Sequence, residues 1–282
     1  MANENLSGEH GMVNGVTCLM QWNVARNRPP VVINNSKLRG GKGRRGGIGS
    51  WNGGWSADGG VPLVMPGELF SFVGYTAPAD GDEGSDGIRY TGQAVCSQVV
   101  LNWDWSTDAI VSHTVQFQGH LGLTDASGAA LIDGSTDTPS NSNVCAVQYG
   151  TGPTTITHMT TASITMSCAV TTFVNSSTGT ETGAKASKDI DWVGTIVEQK
   201  TDRTIAEKTQ LKNLKMFINA TEFWQFDHAH FSNYSNLNVN RVSKEVISRT
   251  MNIGMDGSDA SSGALGQILK PDGSVFWPVA LT

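Results

Sequence analysis

The sequence predicts an all-β protein made of two tandem, similar β-sandwich or barrel modules, each with at most a short flanking helix. Glycine occurs 33 times and charged residues make up only 16% of the chain, a composition that favours strands and turns over helices. Several segments alternate apolar and polar residues, which is the pattern of half-buried strands. One strand–turn–strand segment, residues 101–117, recurs as residues 237–253. A repeat of this kind predicts the architecture of the whole chain.

The repeated segment keeps several residues unchanged at constant spacing. They are Leu101, Asn102, Ser112 and Thr114 in the first copy and Leu237, Asn238, Ser248 and Thr250 in the second. Three further matches follow the same order along the chain: residues 18–24 with 168–174, 51–53 with 192–194, and 72–76 with 217–221. Chance similarity among β-rich segments is the alternative explanation.

The matches divide the chain into three parts. Residues 1–14 are polar and are expected to form a flexible N-terminal arm, residues 15–150 form the first module, and residues 151–282 form the second. The divide falls within residues 121–154, because that stretch is rich in Gly, Ser, Thr and Asp, as connections are.

The first module opens with an alternating strand over residues 16–24 and a second strand over residues 31–33. A long basic loop, residues 36–50, follows; its cations are Lys37, Arg39, Lys42, Arg44 and Arg45. Residues 41–46 spell G-x-G-x-x-G, but they run into more glycines instead of opening a helix, so no nucleotide site is predicted. The loop is either a flexible surface loop or one that reaches a neighbouring subunit, and contact with phosphate or nucleic acid is the third possibility.

An aromatic strand over residues 69–75 leads into an acidic loop. Its carboxylates are Asp80, Asp82, Glu83 and Asp86. Their spacing departs from that of an EF-hand, so a solvated loop is favoured over a Ca²⁺ site. The loop could also meet the basic loop of another subunit, because complementary charges meet at interfaces.

The repeated hairpin contains the residues on which the fold prediction depends. Leu101 and Trp103 share an apolar face of its first strand, and His113 interrupts the apolar face of its second. The corresponding residues of the second copy are Leu237, Val239 and Arg249. A potential cation at the same place in both copies indicates a partner carboxylate or a subunit boundary.

The second module restarts the alternation over residues 164–174. Residues 176–188 form a polar loop in the place of the basic one. Residues 201–214 are the best helix candidate of the chain, with Thr201 or Asp202 as the cap. Residues 215–226 are strand-like, and apolar runs at 263–268 and 275–278 are expected to pack as tail strands.

Several classes of protein are disfavoured. A net charge of −6 argues against a general nucleic-acid binder, whose affinity comes mostly from cations. The sequence has no apolar run long enough for a membrane span and no h-region of a signal peptide. The four cysteines are expected to be reduced. No catalytic motif is recognisable, no cofactor is expected, and His228 with His230 gives too few ligands for a zinc site.

The order of these segments resembles that of the tail tube (major tail) proteins of long-tailed bacteriophages. The resemblance covers most of residues 12–280 and rests on residues 51–55, 66–72, 90–95, the two hairpins, 216–221 and 266–273. It has no short diagnostic signature. It implies a β-sandwich or barrel whose copies form rings that stack into a hollow tube through which DNA passes.

The resemblance also implies partners and a location. If one chain carries two copies of the fold, three chains would close a pseudo-hexameric ring; a homohexamer is the alternative. The basic loop is the candidate for contact between rings. Further partners would be the tape measure, tail terminator and tip proteins, and the protein would be assembled in the host cytoplasm into the virion tail. Other readings are a capsid decoration or baseplate protein, or a carbohydrate-binding β-sandwich; an enzyme is not predicted.

Overall fold

A computed structural model describes residues 11–34, 42–76, 87–106, 110–127, 147–156, 158–175, 181–199, 210–238, 248–255 and 268–277. This part of the chain consists of strands and turns and contains no helix, so the all-β prediction is confirmed. The strands are β1 (Met12–Val13), β2 (Leu19–Asn27), β3 (Pro30–Asn34), β4 (Lys42–Gly46), β5 (Ser50–Asp58), β6 (Leu69–Thr76), β7 (Ile88–Asp104), β8 (Ile110–Ser127), β9 (Val147–Tyr149), β10 (Thr154–Ile156), β11 (Met159–Val174), β12 (Thr182–Gln199), β13 (Gln210–Phe217), β14 (Phe223–Asn238), β15 (Ser248–Met255), β16 (Ile268–Leu269) and β17 (Val275–Trp277).

Fifteen of these strands form one antiparallel sheet, and β3 and β4 form a separate two-stranded hairpin. The main path runs β10-β9-β13-β14-β15-β12-β11-β7-β8-β5-β2. The long strand β7 is the branch point, because its first half pairs with β6 and its second half pairs with β11 on the same side.

The pairing order is the same in the two halves of the chain. Residues 19–127 pair in the order β2-β5-β8-β7-β6, and residues 159–255 pair in the order β11-β12-β15-β14-β13. Strand β2 therefore corresponds to β11, β5 to β12, β6 to β13, β7 to β14 and β8 to β15.

The registers of corresponding strand pairs also agree. Asn102 lies opposite Ser112 in the first half, and Asn238 lies opposite Ser248 in the second. The β5–β8 and β12–β15 pairs match from end to end: Asn52 with Gln118 corresponds to Val193 with Gly254, and Asp58 with Ser112 corresponds to Gln199 with Ser248.

Two irregularities of the ladder occur in both halves. One lies between Leu19 and Gln21 in β2 and between Met159 and Thr161 in β11. The other lies between Cys96 and Gln98 in β7 and between Phe231 and Asn233 in β14. Three others occur in one half only: between Thr91 and Gln93 in the first half, and between Cys168 and Val170 and between Ser235 and Asn238 in the second. Because a bulge inserts a residue at a defined place, its recurrence fixes the correspondence residue by residue.

A pair of glycines illustrates this correspondence. Gly53 of β5 and Gly194 of β12 occupy the same position, and a Cβ on either would meet a backbone carbonyl of the neighbouring strand, that of Asn23 or of Ser163. Both halves therefore require the residue without a side chain at this point. The matches of residues 51–53 with 192–194 and of the two hairpins agree with the structure.

Two sequence matches are wrong in register. The residue that corresponds to Cys18 is His158 and not Cys168: both have positive φ, 48° and 62°, and their carbonyls accept from the corresponding amides of Asp58 and Gln199. Phe217 corresponds to Thr76 and not to Phe72, because it lies opposite Phe223 as Thr76 lies opposite Ile88. An alternating apolar pattern can slide by any even number of residues without losing its match, and both errors are of this kind.

The predicted helix over residues 201–214 is wrong where the structure describes it. Residues 210–214 belong to strand β13, which pairs with β14, and residues 201–209 lie outside the described part. Leu211 and Leu214 are both fully buried although they are three residues apart. Asn213 between them has a left-handed φ of 52°, which breaks the alternation, so the spacing imitates a helix.

One contiguous core of buried residues runs through both halves of the chain. The indole of Trp103 in β7 donates to the carbonyl of Phe217 in β13 (2.9 Å), and the indole of Trp224 in β14 donates to the carbonyl of Gly60 (2.7 Å). Each half of the chain therefore supplies a backbone carbonyl that accepts a hydrogen bond from a tryptophan of the other half. Such buried indoles contribute both apolar area and a satisfied N–H group.

Candidate functional site

A continuous feature outside the core is one face of the sheet, which we call the polar face. It extends over β2, β5, β8, β7, β11, β12, β15 and β14, because residues paired across an antiparallel ladder point to the same side. Its polar side chains are those of Gln21, Asn23, Asn27, Ser50, Asn52, Ser56, Asp58, Gln98, Asn102, Asp104, Ser112, Thr114, Gln116, Gln118, Thr161, Ser163, Thr165, Ser167, Asp191, Thr195, Gln199, His230, Asn233, Ser235, Ser248, Thr250 and Asn252.

Among these positions the polar face contains carboxylates and one basic side chain, His230, which lies opposite Gly254. The acidic residues are Asp58, Asp104 and Asp191, and the remaining polar residues are amides and hydroxyls apart from His230. Ala25, Val100, Val193 and Val197 are the apolar members. Binding to a phosphate backbone draws mainly on lysine and arginine, and these positions of the face contain neither.

Side-chain hydrogen bonds hold the polar groups to one another across strands. Ser163 of β11 donates to the side-chain oxygen of Asn102 in β7 (3.0 Å) at the junction between the two halves. The Asn252 amide donates to the side-chain oxygens of Asn233 (2.7 Å) and Ser235 (3.1 Å). These bonds fix the orientation of side chains that would otherwise be free in solvent.

The polar face is recessed over β2, β5 and β8. An open depression there is lined by the polar side chains of Gln21, Asn23, Asn52, Thr114 and Gln116. It is wide and polar, unlike the apolar cleft typical of a small-molecule site.

Four of the hairpin residues that the sequence singled out, Leu101, Trp103, His113 and Arg249, are buried on the opposite side of the sheet. Leu101 and Trp103 are buried in the core. Leu237 lies on β14, and Val239 lies outside the described residues. Their neighbours Asn102 and Asp104, which the alternation already placed on the other face, belong to the polar face.

His113 and Arg249 occupy corresponding positions and are both buried. Arg249 donates through Nε to Oε1 of Glu198 on β12 at 2.6 Å, and its guanidinium lies 4.1 Å from the ring centre of Tyr234. Ala57 lies opposite His113 and is uncharged. The histidine Nδ1 lies 2.8 Å from the carbonyl oxygen of Gly59 and donates to it.

Burial lowers the pKa of His113 below its ordinary value of 6.5, so the imidazole is neutral at pH 7. Above pH 6.5 the folded and unfolded chains are both neutral here. As pH falls below 6.5 the unfolded chain binds a proton first, so we expect stability to fall by at most about 1.4 kcal/mol per pH unit from this residue. His113→Gln should flatten that decline in urea unfolding between pH 7.5 and 5.5.

A matched control for this titration is His158→Asn. His158 is exposed, and Asn tolerates its positive φ. The control should retain the pH dependence of the wild type. An equal flattening in both variants would show that His113 is not the source of the decline.

The basic loop is a β-hairpin in part. Lys42, Arg44 and Arg45 lie on β4, which pairs with β3, while Lys37 and Arg39 lie outside the described residues. The G-x-G-x-x-G segment therefore enters a strand and opens no helix. The acidic-loop candidates Asp80, Asp82, Glu83 and Asp86 also fall outside the described part.

Within the described residues, other kinds of site find little support. No group of three or more His, Cys, Asp or Glu is arranged to hold a metal ion. No helix in the described ranges is long and apolar enough to cross a membrane. The indoles of Trp51, Trp55, Trp103, Trp192 and Trp224 are buried and so cannot serve as stacking platforms for sugars. Comparison with protein-family models and with curated proteins finds no match to this chain.

Proposed function

We propose that this chain is a structural virion protein that self-assembles into stacked rings, which form the hollow tail tube of a bacteriophage. The observation that carries the proposal is the agreement of strand order, register and two bulges between residues 19–127 and 159–255. In this proposal the halves are tandem modules of one fold. Three chains then present six similar modules around a central hole, and the ring is a pseudo-hexameric homotrimer.

The way in which the halves are joined supports a ring. Strand β7 of the first half pairs directly with β11 of the second, so the polar faces of both halves are continuous. A sheet that continues from one module to the next by the same step of rotation closes on itself when the steps add to a full turn. Closure would also remove exposed strand edges.

The chemistry of the polar face suits the lining of such a channel. Its amides, hydroxyls and three carboxylates, Asp58, Asp104 and Asp191, are joined by one histidine, His230, and by no lysine or arginine that would retain a phosphate backbone. DNA would pass the face without specific binding, as ejection from a virion requires. The tape measure, tail terminator and tip proteins would be the other partners, with assembly in the host cytoplasm.

Electron microscopy of the purified protein tests the proposal. Rings or tubes with a central hole are the expected result, with a ring mass of three chains by native mass spectrometry. A folded protein that remains a monomer at all concentrations would overturn the proposal. A ring of six chains would overturn the pseudo-hexameric trimer alone.

The β3–β4 hairpin is proposed to contact the adjacent ring. It forms a sheet of its own, and at the corresponding place in the second half the β11–β12 hairpin continues from Cys168 opposite Ile190 to Val174 opposite Thr182. We expect deletion of residues 37–47 to leave single rings and to abolish tubes in electron micrographs. The control replaces the segment with a neutral Gly/Ser stretch of equal length. Tubes formed by the deleted protein would contradict this role.

A further inference from the structure

We infer that the outer edge of β2 pairs with the outer edge of β14 in a second copy of this chain, and that this contact reproduces the β7–β11 junction found within one chain. The inference rests on the proposed function and specifies the register. In the β7–β11 junction, Thr165 lies opposite Val100 and Ser167 lies opposite Gln98. The corresponding residues in the inferred contact are Ala25 opposite Ser235 and Asn27 opposite Asn233.

The β7–β11 junction is a valid template because the strands on both sides of it have counterparts. Strand β11 corresponds to β2, and β7 corresponds to β14, each with its bulge at the same place. In the chain, β11 uses both of its edges, pairing with β12 and β7. Among the described strands, β2 pairs only with β5, and β14 has no strand beside residues 231–238 on the side opposite β15.

The edge of β2 lacks the usual protection of an exposed edge. The strand is nine residues long, contains no proline or lysine, and has no charged side chain before Arg26. Natural sheets protect edges of this length with charges, prolines or bulges that block further pairing. The bulge near Met20 lies at the start of the strand and leaves residues 21–27 regular.

Burial on the apolar side of β2 is incomplete in one chain. Trp22 and Val24 are partly exposed, whereas their counterparts in β11, Ala162 and Ile164, are buried at 4% and 0% exposure. The difference arises because β11 has a strand on each side. A neighbouring β14 would supply the missing strand and cover Trp22 and Val24.

The β14 edge offers a matching surface. Asn233 and Ser235 are uncharged, as are Ala25 and Asn27, so the pairing brings no charges together on the polar side. Polar side chains on both strands would continue the polar face from one copy to the next.

Charge exchange across the register tests the contact. Ala25→Lys with Ser235→Lys sets like charges opposite each other, and we expect the ring species to be lost from native mass spectra. Ala25→Lys with Ser235→Asp should restore it. Ser56→Lys with Thr250→Lys is the matched control, since both residues lie on the polar face within the sheet with a strand on either side. Circular dichroism establishes that each variant is folded.

The outcomes separate this inference from the proposed function. Rings in the Lys/Lys variant, or no recovery in the folded Lys/Asp variant, overturn the β2–β14 pairing while leaving the tube proposal standing. A wild-type protein that forms no rings overturns both. As a second readout, Ala25→Cys with Ser235→Cys should give intermolecular disulfides that stop at three chains, and Ser56→Cys with Thr250→Cys should not.

Discussion

Replacing Arg249 with alanine is expected to lower the free energy of unfolding by about 3–5 kcal/mol, because it leaves a buried carboxylate without its cation. Glu198 is 1% exposed and Arg249 is 5% exposed, so solvent screens neither charge. The guanidinium also covers the ring of Tyr234, and this contact disappears with the side chain. Urea unfolding at pH 7 measures the loss.

The first half of the chain provides the control for this ion pair. Ala57 and His113 occupy the positions of Glu198 and Arg249 in an otherwise matching ladder. The double variant Glu198→Ala with Arg249→His transfers that neutral pair and should recover more than half of the loss. A double variant as unstable as Arg249→Ala would show that the carboxylate is not the source of the cost.

Trp103→Ala is expected to lower the free energy of unfolding by about 3–5 kcal/mol, the cost of a large cavity in a packed core. The side chain is 1% exposed, and its indole also donates to the carbonyl of Phe217 in the other half. The variant therefore loses apolar contact and a hydrogen bond between the halves. Thermal and urea unfolding by circular dichroism measure the effect.

Two further variants separate the loss of apolar contact from the loss of the hydrogen bond. Trp103→Phe keeps most of the volume but leaves the Phe217 carbonyl without its donor, and should cost roughly 1–3 kcal/mol. Trp22→Ala removes a partly exposed tryptophan at the edge of the sheet and should destabilise the isolated chain less than Trp103→Ala. A larger loss at Trp22 would contradict the assignment of the core.

The sequence predicts the fold class because strand patterns are local. The alternation around Leu101 and Trp103 identifies a strand and its two faces without knowledge of any neighbour. The identity of Asn102 and Ser112 with Asn238 and Ser248 locates the second hairpin. Both pairs are opposite each other in the structure.

Register and partner choice are less accessible, because they depend on contacts between distant strands. The match of Cys18 with Cys168 was attractive by residue type, but the shared positive φ and amide bond belong to His158. The left-handed Asn213 gave Leu211 and Leu214 a helical spacing. The pairing of β5 with β8 instead of its neighbour β6 has no local signal at all.

The polar face was present in the sequence only as the polar half of each alternation. Asn102, Ser163 and Asn252 are unremarkable singly, and their continuity becomes visible only when the strands are set side by side. The need for a carboxylate partner could have been anticipated from Arg249 alone. The identity of that partner, Glu198, could not, since the two residues are far apart in the chain.

Ala57 with His113 and Glu198 with Arg249 show that the same backbone ladder accepts unrelated side chains in its two versions. In the proposed ring, a substitution in one half of the chain therefore changes every second module around the circumference and leaves the modules between them unchanged. A harmful substitution in such a chain would change only half of the modules in the ring. In a ring of six identical single-module subunits it would change all of them.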